Sequence, residues 1–124
     1  METDALVTAA RQIRARAYAP YSVYTVGAAI RDEEGRVWTG VNVENASYGA
    51  TICAERGAVM AMVAGGGRRI EAIAVATKDG GPPCGVCLQV LGEFAGPDAL
   101  VLVASETEVA TYRLGALMPH RFAL

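Results

Sequence analysis

Two short apolar runs, IEAIAVAT at 70–77 and ALVLVA at 99–104, most strongly constrain the fold of this 124-residue chain. Each run has the length of a strand and is apolar at nearly every position, which is typical of a strand covered on both faces. Between them, a segment that opens at Pro83 and closes at Gly96-Pro97 has the start and stop signals of a helix. The order strand, helix, strand predicts a βαβ crossover with helices covering the sheet.

The segments before this unit add a helix, a hairpin and a second helix. Residues 4–18 carry apolar side chains at helical spacing and predict an amphipathic helix. The stretches YTVGAAIRD and RVWTGVNVE flank the turn residues EEG and predict an antiparallel hairpin. Thr51 is expected to cap a helix over 52–64, which the glycines at 65–67 end. The predicted order is α-β-β-α-β-α-β, followed by a weaker segment and irregular chain.

Length and composition limit the class of protein. At 124 residues, with 52% hydrophobic and 19% charged residues, the chain predicts one globular domain spanning residues 1–124. Such a small domain hides apolar surface inefficiently, so this composition favours a homo-oligomer. The net charge of −2, with scattered basic residues, argues against binding a nucleic acid polymer. We find neither a signal-peptide pattern nor an apolar run near the roughly 20 residues of a membrane span, and expect a cytoplasmic protein.

The three cysteines of the chain, Cys53, Cys84 and Cys87, stand at the starts of the two predicted central helices. Cys84 and Cys87 share a helical face, and the crossover can bring both helix N-termini to one sheet edge. A helix N-terminus stabilises thiolates, and thiolates without a redox partner select zinc. Three protein ligands leave one coordination position open, as in catalytic zinc sites. The alternatives are a closed structural zinc site, with His120 as the fourth ligand, or three inert buried thiols.

Glu55 follows Cys53 by two residues and is the candidate catalytic acid and base. Residues at this separation do not share a helical face, so Glu55 is a poor additional ligand. A carboxylate next to the open position can instead take a proton from water and pass it to a departing amine. The alternative is an acid in the first turn of a helix, where the helix dipole alone makes it favourable.

The motif CAE followed by PCGVC resembles the all-cysteine signature of zinc-dependent nucleoside and nucleobase deaminases. YAPYSVYTVGAAI, GVNVENASYG, CAER, PCGVCLQVL and LMPHRF together resemble the small homo-oligomeric cytidine deaminases. The resemblance implies a three-layer α/β/α domain with a mixed sheet of about five strands. It also implies one zinc ion per subunit, a homotetramer (or a dimer) and a role in pyrimidine salvage. The implied reaction converts free cytidine or deoxycytidine to uridine or deoxyuridine and ammonia.

The resemblance also implies roles for individual residues. Cys53, Cys84 and Cys87 would bind zinc, and Glu55 would carry the proton. The implied substrate contacts are Asn42 and Glu44 at the ribose 3′-hydroxyl, Tyr24 and the backbone near Ala54 at the base, Ala46 and Tyr48 in the wall between subunits, and Phe122 stacking on the base in a neighbouring subunit's site. Taken alone, Asn42 and Glu44 are also consistent with ordinary polar residues at a strand end. Phe122 is equally consistent with a side chain that plugs the core.

Two positions, Leu88 and Tyr24, depart from the family pattern. The first concerns the charge of the site, because zinc bound by three sulfurs carries a net negative charge. Arg56 is expected to offset part of this charge by donating hydrogen bonds to a thiolate. Many family members carry a second arginine after the last cysteine, whereas this chain has Leu88. We therefore expect a more basic zinc-bound water or a compensating donor elsewhere. Tyr24 stands where the family usually has phenylalanine. These departures keep open a deaminase of another aminopyrimidine, such as a blasticidin-like antibiotic, although the motif NVEN favours a ribose-bearing substrate. A non-catalytic zinc fold is a separate alternative.

Overall fold

The computed structural model describes residues 2–124 and shows a layered α/β fold. Among the described residues, no helix is both long enough and apolar enough to span a bilayer. The helices and strands, in chain order, are α1 (Glu2–Ile13), β1 (Gly27–Asp32), β2 (Val37–Val41), α2 (Ala54–Ala64), β3 (Ile70–Ala76), α3 (Gly85–Phe94), β4 (Leu100–Ala104), β5 (Val109–Arg113) and α4 (Leu114–Leu117).

The five strands form one mixed sheet in the order β2-β1-β3-β4-β5. The two apolar runs of the sequence, β3 and β4, are neighbours and run parallel, as the βαβ crossover through α3 requires. β1 pairs antiparallel with both β2 and β3, and β5 pairs antiparallel with β4. The prediction of a mixed sheet of about five strands is confirmed, with β5 in the place of the weaker segment.

The helices cover the two faces of the sheet and make three layers. Successive strand residues point to opposite faces. Thus Ile73 and Val75 of β3 pack in the cluster that contains residues of α2 and α3, whereas Ala72 and Ala74 pack with Leu6 and other residues of α1. The α1 face of the sheet consists largely of alanines, which allow the helix to lie close to the strands. The predicted α/β/α arrangement is therefore confirmed.

α2 lies against β2 at Gly40, a contact that positions the N-terminal part of the helix. A Cβ atom on Gly40 would lie 2.3 Å from the backbone nitrogen of Ala58 and 2.5 Å from the carbonyl oxygen of Ala54. Real Cβ atoms essentially never approach other atoms so closely, so only glycine permits this packing. The strand therefore determines where the first turn of α2 lies.

The predicted helix boundaries are wrong at three places, and at two of them a contact to a distant part of the chain is the reason. α2 begins at Ala54 with Cys53 as its N-cap, not after Thr51, because residue 52 is held extended by a bridge to Val43. The first helix ends at Ile13 and a short 3-10 turn at 14–16, because Tyr18 forms a bridge with Val43. α3 begins at Gly85, after its N-cap, rather than at Pro83.

Candidate active site

The fold brings the three cysteines together. Cys53 is the N-cap of α2, Cys84 is the N-cap of α3, and Cys87 is the third residue of α3. Their sulfur atoms all lie within 4.8 Å of one another. Within residues 2–124 this is the one group of at least three His, Cys, Asp or Glu ligand atoms close enough to share a metal ion, and His120 is not part of it. A closed site with His120 as the fourth ligand is therefore not what the structure contains.

The thiols differ in their electrostatic surroundings. Burial raises the pKa of Cys87, and the negative charges of Glu55 and Cys53 raise it further. Burial also opposes ionisation of Cys84, but hydrogen bonds from the backbone amides of Cys87 and Val86 outweigh it and lower the pKa of Cys84. Three sulfurs this close favour a shared cation, because it would stabilise all three thiolates at once. The donor set, three convergent soft sulfurs at two helix N-termini, fits zinc.

Arg56 is in the first turn of α2 and contacts the cysteine cluster. Its Nη2 atom donates hydrogen bonds to Cys53 Sγ at 3.5 Å and to the carbonyl oxygen of Thr51 at 3.3 Å. The hydrogen bond to Cys53 is the largest of several contributions that raise the pKa of Arg56. This is the contact expected from the sequence. Leu88 is partly buried and packs against the hydrophobic cluster beneath α2 and α3, so it offers no donor to the sulfurs.

Glu55 is the second residue of α2, and only 5% of its surface is accessible to solvent. Burial raises the pKa of Glu55, an effect that its own backbone amide and the charge of Arg56 oppose in part. A raised pKa makes the carboxylate of Glu55 a better proton acceptor than an exposed carboxylate. Such a group can accept a proton and return it within one reaction cycle.

A cavity of about 290 Å³ opens beside Glu55 and two of the cysteines. Its volume is at the lower end of the range for small-molecule sites, about 300–1,000 Å³. Cys87 lies outside its lining. The residues that line the cavity are Ser22, Tyr24, Val26, Asn42, Glu44, Thr51, Cys53, Ala54, Glu55, Val75, Thr77, Gly81, Pro82 and Cys84.

Asn42 and Glu44 line this cavity in different ways. The Asn42 side chain is buried, donates to the carbonyl oxygen of Tyr24 at 2.8 Å and accepts from the amide of Val26 at 2.9 Å. It therefore already ties the segment before β1 to the end of β2. Glu44 accepts hydrogen bonds from the hydroxyl and amide of Ser22 and from the amide of Tyr21. These bonds, above all the one from the Ser22 hydroxyl, lower the pKa of Glu44 and keep it ionised.

Tyr48 and Phe122 do not line the cavity that contains Glu55. Tyr48 is 75% exposed and lines an adjoining cavity of about 390 Å³, which shares Ser22, Glu44 and Thr51 with the first. Phe122 is 69% exposed, and its carbonyl oxygen accepts a hydrogen bond from Gln89 Nε2 at 3.0 Å. The alternative of a core plug at Phe122 is therefore wrong for the single chain.

Sequence reasoning missed several residues at the cavity. Ser22 was not singled out, although its hydroxyl orients Glu44 and also accepts from the amide of Tyr24 at 3.0 Å. Thr77, Gly81 and Pro82 belong to the loop between β3 and α3 and also line the cavity. A serine two residues before the candidate aromatic position is a usable signal, whereas nothing in the sequence of this loop indicates that it faces a cavity.

Comparison with known proteins places the chain in a family. Residues 1–104 match the family described as the cytidine and deoxycytidylate deaminase zinc-binding region. The chain is 46% identical to the cytidine deaminase of Mycobacterium tuberculosis over 117 residues, which cover 93% of this chain and 85% of that protein. It is 41% identical to the cytidine deaminase of Halalkalibacterium halodurans over 125 residues, which cover 98% and 95% of the two chains.

Solved structures agree with the sequence relatives. The crystal structure of the cytidine deaminase from Burkholderia pseudomallei superposes with a TM-score of 0.91 at 43% identity, over 98% of this chain and 100% of that one. The structure of the Mycobacterium leprae cytidine deaminase gives a TM-score of 0.84 at 41% identity, over 97% and 99% of the two chains. On the strength of the matched region, the identities and the shared fold, this chain belongs to the cytidine and deoxycytidylate deaminase zinc-binding family.

Proposed function

We propose that this protein is a zinc-dependent hydrolase that converts cytidine to uridine and ammonia, and that acts on deoxycytidine in the same way. The observation that carries the proposal is the buried carboxyl of Glu55, with a raised pKa, in one cavity with two of three convergent cysteines. Relatives that match most of the chain are cytidine deaminases. A deaminase for another aminopyrimidine, or a non-catalytic zinc fold, is the less favoured function.

Cys53, Cys84 and Cys87 would hold the zinc ion, one per chain. When bound there, zinc would activate water for attack on the ring carbon that carries the amino group. Glu55 accepts a proton from the attacking water, delivers it to the adjacent ring nitrogen, and transfers the second proton to the amino group. Water thus supplies the oxygen of the product, and the amino group departs as ammonia. The buried position of Glu55 suits this role because burial raises its pKa, which makes the carboxylate a better proton acceptor.

The other cavity residues would hold the substrate. Glu44, ionised and fixed by Ser22, is suited to accept a hydrogen bond from the ribose 3′-hydroxyl. Asn42 can contribute only the amide hydrogen and lone pair that its two backbone hydrogen bonds leave free. Tyr24 and the backbone at Ala54 line the cavity and would contact the base.

Several further features belong to the same proposal. The exposed side chains of Tyr48 and Phe122 would complete the site of a neighbouring copy in a homotetramer or a dimer. The whole of residues 1–124 would form a single domain. The substrate would be a free nucleoside rather than a nucleic acid polymer, and the protein would work in pyrimidine salvage in the cytoplasm.

The test combines metal content with activity on defined nucleosides. Purified protein is assayed for zinc by elemental analysis, and for the loss of cytidine and deoxycytidine by ultraviolet absorbance. Glu55→Ala is expected to keep its zinc and to lose activity by at least about 10²–10⁴-fold, the usual contribution of a positioned acid and base. Glu93→Ala is the matched control, because Glu93 lies exposed on α3.

Each outcome of this test has a distinct meaning. Full activity of Glu55→Ala with zinc bound would refute the proton-transfer role. A wild-type protein without zinc would contradict the metal site. A zinc-loaded protein that leaves both nucleosides unchanged would favour the alternative functions.

A further inference from the structure

Asp79 lies next to the candidate site without lining its cavity. Its carboxylate accepts a hydrogen bond from the hydroxyl of Tyr24 at 2.6 Å. Tyr24 lines the cavity that contains Glu55, whereas Asp79 lines a separate hollow formed with residues of β4 and β5. Asp79 therefore acts on the cavity only through Tyr24 and through the turn to which it belongs.

The backbone around Asp79 is firmly anchored to the sheet. The amide of Thr77 donates to the carbonyl oxygen of Ala104 at 3.0 Å, and Asp79 forms a bridge with Ser105 just after β4. The Thr77 hydroxyl accepts from the amides of Gly80 at 2.7 Å and Gly81 at 3.0 Å, which closes a tight turn. The backbone that carries the Asp79 carboxylate is therefore held in a fixed position.

The Tyr24 hydroxyl fits this turn because residue 81 has no side chain. A Cβ atom on Gly81 would lie 2.9 Å from the Tyr24 oxygen, too close for an unshifted tyrosine. A 2.6 Å separation is in the range of a charge-assisted O–H···O⁻ bond, about 2.5–2.7 Å. The hydrogen bond from Tyr24 lowers the pKa of Asp79, while burial and the Asp79 carboxylate raise the pKa of Tyr24. Near neutral pH, therefore, Tyr24 is the donor and Asp79 the ionised acceptor.

We propose that Asp79 is a positioning residue for the deamination, because its hydrogen bond to Tyr24 holds the tyrosine ring and the turn at 77–81 together as adjoining walls of the substrate cavity. The inference rests on the proposed function and adds a residue outside the cavity to it. The hydrogen bond between Tyr24 and Asp79 joins two segments far apart in sequence, the one before β1 and the one after β3.

The kinetic test uses steady-state deamination of cytidine by the zinc-loaded protein. Tyr24→Phe and Asp79→Ala are each expected to raise KM about three- to tenfold, the effect of losing one hydrogen bond that positions a binding wall. The kcat should change less than about twofold, because Glu55 and the cysteines are untouched. Asp79→Asn should restore most of the KM, since an amide oxygen can accept the same hydrogen bond.

A double-variant cycle tests whether Asp79 acts through Tyr24 or whether the two residues affect KM independently. If Asp79 acts through Tyr24, the Tyr24→Phe/Asp79→Ala protein should have a KM no higher than either single variant. Tyr112→Phe is the matched control and should keep the wild-type KM, because Tyr112 lines the hollow beside Asp79 but not the cavity that contains Glu55. Additive effects in the double variant, or a wild-type KM in both single variants, would overturn the proposal.

A second measurement does not depend on activity. Hydrogen exchange of the amides of Gly80 and Gly81 should be faster in Tyr24→Phe and Asp79→Ala than in the wild type, and unchanged in Tyr112→Phe. If the wild-type protein fails to deaminate cytidine, the proposed function fails. Hydrogen exchange alone then tests whether Tyr24 and Asp79 hold the turn at 77–81 in place. Unchanged exchange in both variants would refute the positioning role even in an active enzyme.

Discussion

The contact between β2 and α2 at Gly40 provides a demanding test of how the fold positions the active site. Gly40→Ala would place a methyl group 2.3 Å from the backbone nitrogen of Ala58 and 2.5 Å from the carbonyl oxygen of Ala54. Both are backbone atoms, so no side chain can rotate away to make room. The helix must move as a whole, or the strand must bend.

The required movement sets the size of the effect. Ordinary contacts of a Cβ atom begin at 3.4 Å, so the first turns of α2 must move by about 1 Å relative to β2. Overpacking of this kind destabilises a protein by about 1–3 kcal/mol. Cys53 and Glu55 move with the helix, and a misplacement of about 1 Å can reduce catalysis about 100-fold. We therefore expect Gly40→Ala to lose both stability and most of its activity.

Gly57→Ala is the matched control, because the same helix faces the same strand there with more room. A Cβ atom on Gly57 would lie 3.5 Å from the carbonyl oxygen of Val41, which is an ordinary contact. Replacing a glycine inside a helix should stabilise it by up to about 1 kcal/mol. Urea unfolding at one fixed protein concentration measures the free energy, and cytidine turnover measures the activity. Gly40→Ala with wild-type stability and turnover would refute this account of how α2 is positioned.

Three further predictions concern strain, acid stability and the metal site. Val23 has a φ of 60° and is 80% exposed, so Val23→Asn should raise the free energy of unfolding by about 1 kcal/mol; a decrease in urea unfolding would contradict this. For Asp32, burial tends to raise the pKa, but the hydrogen bond from Trp38 Nε1, backbone amides and the Arg36 charge outweigh it and hold the pKa below 3.8. The wild type should therefore lose stability as the pH falls below 3.8. The Asp32→Asn variant should unfold several degrees lower at neutral pH, and its stability should depend less on acid. Equal acid sensitivity of the two proteins in thermal unfolding would refute the reasoning. Leu88→Arg should move the acidic limb of the pH–rate profile to lower pH by up to about one unit, because added positive charge favours deprotonated groups at the site, and an unchanged limb would contradict this.

The parts of the fold that could be predicted from the sequence are those whose residues are buried. β3 and β4 are apolar at nearly every position and buried along most of their length, and their short length together with the flanking turn residues favours strands. β5 lacks this signal, because all its residues are exposed and its pairing depends on hydrogen bonds offered by the edge of β4. The predicted start of α2 is wrong because local propensity cannot reveal the bridge that holds residue 52 extended.

The candidate site shows a similar division. The convergence of the cysteines follows from a motif and a crossover, so the sequence could indicate it. The hydrogen bonds that Asn42 makes to the backbone of residues 24 and 26 could not be predicted, because they depend on how two segments meet. The same holds for Asp79, which lies 55 residues from Tyr24 in the sequence and has no motif of its own.

The structure also indicates how a site with a leucine at position 88 can balance its charge. Three thiolates around one zinc ion leave a net negative charge, and Leu88 packs into the apolar cluster instead of donating to a sulfur. Groups at the starts of α2 and α3 each offset part of this negative charge. α2 supplies Arg56, which donates to Cys53, and α3 supplies the backbone amides that lower the pKa of Cys84.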